Sequence, residues 1–162
     1  MLRDLGTVAA GSNGQAALRF EDAWQPGLWY QSGEVSDGTM LVAAHLTLPY
    51  QEQRVDLIAI EEPERGLNPY LLGELVALWR KMSRGEVGPR PIQIVLATHS
   101  AELLDHVQPE EVRFLSRDLE TGAVRVEEAP TNQPDWRESF KTYQESLGSL
   151  WLSGNLGGVP RL

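Results

Sequence analysis

The chain contains no cysteine and only two lysines, Lys81 and Lys141. Without cysteine there is no disulfide, no thiolate zinc site and no thiol nucleophile, a composition that fits a cytoplasmic protein. Basic residues number 14 against 23 acidic ones, leaving a formal charge of −9. That balance excludes a constitutive electrostatic grip on nucleic acid or an anionic membrane, so nucleic acid is expected to be engaged only indirectly. Long apolar runs are lacking as well: none approaches the roughly 18 residues that span a bilayer. The opening Met-Leu-Arg-Asp-Leu-Gly has no apolar stretch of the kind a secretory signal needs. What remains is an ordinary globular mixture, 41 % hydrophobic and 23 % charged over 162 residues, the length of one domain.

Residues 1–16 are rich in Gly, Ala and Ser without a clean period, and read as a loosely ordered N-terminal segment ahead of the main body, 17–162. Ala17–Glu21 and Leu28–Gln31 read as two short strands, with Trp24, Gln25, Pro26 and Gly27 turning between them. Ser36 is placed to cap a helix running to Leu48, its apolar positions Met40, Leu41, Ala44, Leu46 and Leu48, and Pro49 stops it. Val55–Ile60 and Ile92–Ala97 are nearly continuous β-branched and aliphatic runs, the pattern of parallel strands buried on both faces. Between them Tyr70–Ser83 carries Leu71, Leu72, Leu75, Val76, Leu78, Trp79 and Met82 at helical spacing. Asn68 suits its N-cap, Pro69 its first position and Gly85 its end. Strand, helix and strand make a βαβ unit, which should cross over right-handed. A second helix is expected from Ser100. Val112–Ser116 and Ala123–Glu127, around a Thr121-Gly122 turn, read as a hairpin or sheet edge. A last helix starts near Pro134, with Trp136, Phe140, Tyr143, Leu147 and Leu150 on one face. The fold class is therefore α/β, a parallel sheet with flanking helices and an antiparallel strand pair.

Loops leaving the carboxyl ends of parallel strands form the ligand edge of such a sheet. Glu61-Glu62-Pro63-Glu64 follows the first buried strand and Thr98-His99-Ser100 the second. If the two strands are neighbours, two carboxylates and an imidazole converge on one edge. Adjacent carboxylates are costly to hold there unless a cation or a proton is shared. A hard cation such as Mg²⁺, which takes oxygen ligands and keeps waters, is the expected guest. His45, on a helix, and His106, near a helix end, read as structural. The five tryptophans read as core or dimer contacts, since a base-stacking surface would need interleaved basic residues.

The stretch Leu57-Ile58-Ala59-Ile60-Glu61-Glu62-Pro63-Glu64-Arg65-Gly66-Leu67-Asn68-Pro69 resembles the Walker B and D-loop segment of ABC-type P-loop ATPases. It is most similar to the RecF-like and SMC-like branch of predicted AAA-type ATPases that carries E-E-P-E-x-G-L-H-P. Val95-Leu96-Ala97-Thr98-His99-Ser100 resembles the switch-histidine strand, and Val35-Ser36-Asp37-Gly38-Thr39 the ABC signature. The tail from Leu150 to Pro160 is also similar to this branch's ending. The resemblance implies the C-terminal half of a P-loop NTPase domain over residues 17–162, hydrolysing ATP with Mg²⁺. Within it Glu61 would hold Mg²⁺ through water, Glu62 would polarise the attacking water, and His99 would contact the γ-phosphate. Ser36 and the backbone at Gly38 would face a nucleotide held mainly by a second copy in a head-to-tail dimer. Asn68 stands where the branch commonly has His, as a D-loop contact.

The Walker A loop, G-x-x-x-x-G-K-[ST], supplies the amides and the lysine that neutralise a triphosphate, and it is not in this sequence. Neither lysine lies in such a setting, and Gly11-Ser12-Asn13-Gly14-Gln15 has no lysine, so it reads as a linker. The expectation is a fragment of a longer ATPase, a subunit whose partner chain brings the N-terminal lobe, or a degenerate module. The isolated chain is expected to be inactive in each case. The main alternative function is a non-catalytic interaction or regulatory module. A metal-dependent nuclease ranks below it, because only Arg117-Asp118 stands where a further acidic cluster would be needed.

Overall fold

The computed structural model describes residues 2–10, 15–52, 55–154 and 156. It divides into two compact units, 1–52 and 53–162, where the sequence suggests one body from residue 17 onward.

The first unit begins with strand β1 (Leu2–Ala10), paired antiparallel with β2 (Gln15–Asp22), which in turn pairs with β3 (Trp29–Gln31). The loosely ordered start expected over 1–16 is thus largely strand, with Leu5 opposite Phe20 and Phe20 opposite Tyr30. Its small residues are compatible with a ladder, because β1 draws its order from pairing with β2 rather than from its own periodicity. Residues 11–14 of the glycine-rich stretch lie outside the described residues, and Gln15 opens β2. The expected turn is present: the Asp22 carboxylate accepts from the amides of Trp24 and Gln25 at 2.8 and 2.9 Å. Those amides hold it below the usual carboxylate range. The Arg19 guanidinium lies 4.1 Å over the Trp29 ring.

Helix α1 (Asp37–Thr47) is N-capped by Ser36, whose hydroxyl accepts from the Thr39 amide at 3.2 Å. Its buried residues are Gly38, Ala43 and His45, not the larger apolar set the spacing suggested; Leu46 is exposed. Burial holds His45 below its usual pKa.

In the second unit β4 (Leu57–Glu61) and β5 (Gln93–Ala97) pair in parallel, Leu57 opposite Gln93 through Glu61 opposite Ala97. Helix α2 (Pro69–Ser83) joins them and packs on β5. Asn68 caps it through the Tyr70 amide at 3.0 Å, and Gly85, at φ +71°, closes it with a bond from its amide to the Met82 carbonyl. Leu72, Leu75, Val76, Trp79 and Met82 are buried along one side of α2.

The strands themselves are not buried on both faces. Ile58, Ile60, Ile94 and Leu96 are half-buried, whereas Leu57, Ala59, Val95 and Ala97 are exposed. The alternation follows from what covers the sheet: among the described residues it has two strands, and the exposed set shares one face.

Helix α3 (Ala101–Leu104) is short and capped by Ser100. Strands β6 (Arg113–Arg117) and β7 (Val124–Glu128) form the expected hairpin, Leu115 opposite Val126. Leu104, Phe114, Ala129, Trp136, Leu147, Leu150 and Leu156 form a second core, with Trp136 and Phe140 stacked at 5.4 Å between centroids.

The single last helix is corrected to two, α4 (Trp136–Thr142) and α5 (Leu147–Leu152). Between them Gln144 and Glu145 take φ of +58° and +60°. Ser146 then caps α5 through the Ser149 amide at 2.9 Å. Asp105 fixes the break by accepting from the Ser146 hydroxyl at 2.8 Å and the Gly148 amide at 2.9 Å. Of the tail, 155 and 157–162 lie outside the described residues. No helix among the described residues is long and apolar enough to cross a membrane.

Candidate functional site

The parallel register brings the carboxyl ends of β4 and β5 side by side, with Glu61 directly opposite Ala97. The next residue extends the ladder: the Glu62 amide donates to the Ala97 carbonyl at 2.8 Å. Glu62 then leaves the sheet with φ +45°, a left-handed conformation uncommon for a non-glycine residue. A tight turn follows, with the Arg65 amide bonded to the Glu62 carbonyl and the Leu67 amide to the Glu64 carbonyl, each at 3.0 Å. Gly66, at φ +77°, allows that turn.

Across the edge, the Thr98 hydroxyl donates to Glu64 Oε1 at 2.6 Å and accepts from the Ser100 amide at 2.9 Å. This pair ties the loop after β4 to the loop after β5, with His99 exposed between Thr98 and Ser100. The other oxygen of Glu64, Oε2, is buried without a hydrogen-bond partner. Ser100 turns the chain into α3 by accepting from the Leu103 amide at 3.2 Å.

Glu61, Glu62 and His99 therefore meet at one sheet edge, but as separate groups. Glu61 is exposed at the end of its strand. Glu62 is ion-paired at 3.6 Å with Arg65, whose side chain is 85 % exposed, a weak pairing in water. Among the described residues no group of three or more His, Asp or Glu side chains is arranged to hold a metal ion. The exposed carboxylates present could hold a hard cation only with further oxygens from water or a bound molecule. Asn68 serves as the cap of α2, with its side-chain oxygen on the Tyr70 amide. Ser36 and Gly38 belong to the first unit, where the Ser36 hydroxyl also shares a hydrogen bond with the Thr39 hydroxyl at 2.9 Å and Gly38 is buried.

Two features escape sequence reading. The Glu64–Thr98 contact has a faint signal in the third glutamate of Glu-Glu-Pro-Glu and in the hydroxyl preceding His99. The left-handed backbone at Glu62 has no signal, since neither glycine nor asparagine marks it. His106, near the end of α3, lies against Gly73 of α2, where an added Cβ would stand 3.1 Å from the imidazole. Trp79 and Trp136 are core residues, as expected, while Trp24 is exposed.

Seventeen chains of solved structures match this one. A chain from structural work on the ATP-driven dimerization and DNA-stimulated activation of SMC ATPases aligns with a TM-score of 0.56 at 10 % identity. The alignment covers 87 % of this chain and 80 % of that one, a likeness that shows the fold alone, a mixed α/β one. No curated protein sequence matches. The family model described as "AAA domain, putative AbiEii toxin, Type IV TA system" matches residues 22–105, more than half of the chain. That span takes in α1, the edge built by Glu61, Glu62 and His99, and the whole of α3. The chain belongs to this AAA-domain family.

Proposed function

We propose that the chain is the C-terminal part of an ABC/SMC-like ATPase, carrying the signature, Walker B, D-loop and switch-histidine segments. The observation that carries this reading is the parallel adjacency of β4 and β5, which sets Glu61 and Glu62 beside the loop bearing His99. In this reading Glu61 holds Mg²⁺ through water, and the ion offsets charge on the phosphates. Glu62 accepts a proton from the attacking water, and His99 donates a hydrogen bond to the γ-phosphate. The helix start at Ser36, with the Gly38 amide nearby, suits the phosphates of a nucleotide held by a second copy, head to tail. The Asn68 side chain, occupied in capping, contributes to the D-loop by shaping it.

The sequence has no Walker A lysine, so ATP binding requires a phosphate-binding lobe from elsewhere. Calorimetry of the chain with ATP and Mg²⁺ should detect weak binding or none; micromolar affinity would overturn that requirement. With a Walker A lobe supplied, Glu62→Gln should trap a nucleotide-bound assembly that no longer turns over. If Glu62→Gln changes neither assembly nor turnover, the chain is instead a non-catalytic interaction module derived from such an ATPase.

A further inference from the structure

The hairpin of the second unit carries a surface that the ATPase reading does not use. All five residues of β7 are exposed, and its strand partner among the described residues is β6 alone. The Asp118 amide donates to the Ala123 carbonyl at 2.8 Å, and these two residues continue the register in which Arg117 faces Val124. Bonded and non-bonded pairs alternate in an antiparallel ladder. Ser116 with Arg125 and Phe114 with Glu127 are therefore bonded pairs. The backbone N–H and C=O groups of Val124, Val126 and Glu128 consequently point away from β6, and form an open template for a further strand.

We propose that this edge pairs with the same edge of a second copy, antiparallel about a two-fold axis at Val126. In that register Val124 faces Glu128 of the copy, Arg125 faces Glu127 and Val126 faces Val126. Each Arg125 then lies opposite a carboxylate, twice per dimer, and opposite charges directly across a ladder stabilise it. Glu127 makes no ion pair within its own chain among the described residues, and Arg125, bound to Asp118, keeps further guanidinium donors free. On the other face Val126 and Leu115, about 60 % exposed each, would join their counterparts in one apolar row across four strands. That row removes from water the surface the isolated hairpin leaves open.

The neighbouring edges lack this self-complementarity. Two-fold pairing of β6 about Leu115 would set Arg113 against Arg117 of the copy, like charges face to face. Within the same unit, β4 and β5 carry no pair of opposite charges about a centre. The contact is isologous and, being small, concentration-dependent. It is independent of the nucleotide-held dimer.

Sedimentation of the full chain in nucleotide-free buffer tests it. The wild type should show a monomer–dimer equilibrium, and Arg125→Glu or Glu127→Arg alone should weaken it by about tenfold or more. An equimolar mixture of the two single variants should regain dimer, because each supplies the charge the other needs; the double variant should regain it too. Glu127→Arg leaves the Asp118 contact untouched, so the test survives if Arg125→Glu fails to fold. A wild type that stays monomeric at every concentration, single variants that dimerise like the wild type, or a mixture without rescue would each overturn the proposal.

Discussion

Glu62 joins a strand, a turn and a candidate catalytic role in one residue, and its backbone bears the cost. At φ +45° an L-residue is disfavoured by about 1–2 kcal/mol, and the carboxylate recovers little through the exposed Arg65. Glycine fits this conformation but loses about 0.5–1 kcal/mol more chain entropy on folding. Glu62→Gly is therefore expected to stabilise the protein by roughly 0.5–1 kcal/mol, whereas Glu62→Gln leaves stability unchanged. Thermal unfolding of the two variants checks this, and a lower melting temperature for the glycine variant would refute it. Under the proposed ATPase function, a glutamate at this position would exchange stability for chemistry. The convergence of Glu61, Glu62 and His99 on one sheet edge was legible in the sequence because polar groups ending apolar runs stand out. The Glu64–Thr98 tie was not, because it depends on how two turns close in space and not on the spacing of either.

Helix α2 is tied by polar contacts to the segment between α3 and β6. Arg80 of α2 grips Glu111 through two bonds of 3.0 and 2.6 Å, and also donates to the His106 carbonyl at 2.9 Å. The Arg80 guanidinium holds the Glu111 carboxyl below its usual range. A carboxyl whose pKa is depressed in the folded state contributes stability that is complete above its unfolded value. That contribution is lost as pH falls through the folded one. Glu111→Gln should therefore cost about 1 kcal/mol near neutral pH, a bidentate but partly exposed pair being worth little more. The difference from wild type should vanish in acid below the carboxylate range. Equal differences at both pH values would show that the charge is not responsible.

A second clamp joins α3 to α5 with almost no clearance. A Cβ built on Gly148 would stand 2.1 Å from the Ala101 carbonyl oxygen. Gly148→Ala is expected to destabilise by about 1–3 kcal/mol, the usual cost of overpacking. Gly33→Ala, where a Cβ meets nothing within 4 Å, should be near neutral in the same denaturant titration. Equal midpoints for the two variants would refute the tight contact. This clamp also explains why the one apolar stripe from Trp136 to Leu150 becomes two helices. The stripe specifies which side faces the core, while Asp105, remote in sequence, captures Ser146 and Gly148 and turns the backbone between them.

At the scale of the whole chain, the order of strands and helices was readable from residue 17 to the hairpin β6–β7, and beyond it only as one apolar stripe. Caps, turn residues and apolar periods mark each element locally. Two properties were not readable. The apolar runs of β4 and β5 predict burial on both faces, yet burial depends on what covers a sheet, and Leu57 and Val95 stand in the open. The division at residue 52 has no glycine- or serine-rich linker to announce it. It arises from where contacts are sparse, a property of the folded chain.

The parallel pairing of β4 and β5 also sets a sequence of events in time. Strands that run the same way cannot be joined by a tight turn, so the chain must traverse the whole of α2 before Glu61 can meet Ala97. Hairpin β6–β7, closed by a short local turn, has no such delay to overcome. The edge that bears Glu61, Glu62 and His99 is therefore expected to form late in folding, after the crossover helix has docked and the long loop entropy has been met. A nascent chain would carry these carboxylates well before it could use them, and the chemistry proposed for them is withheld until the fold is finished.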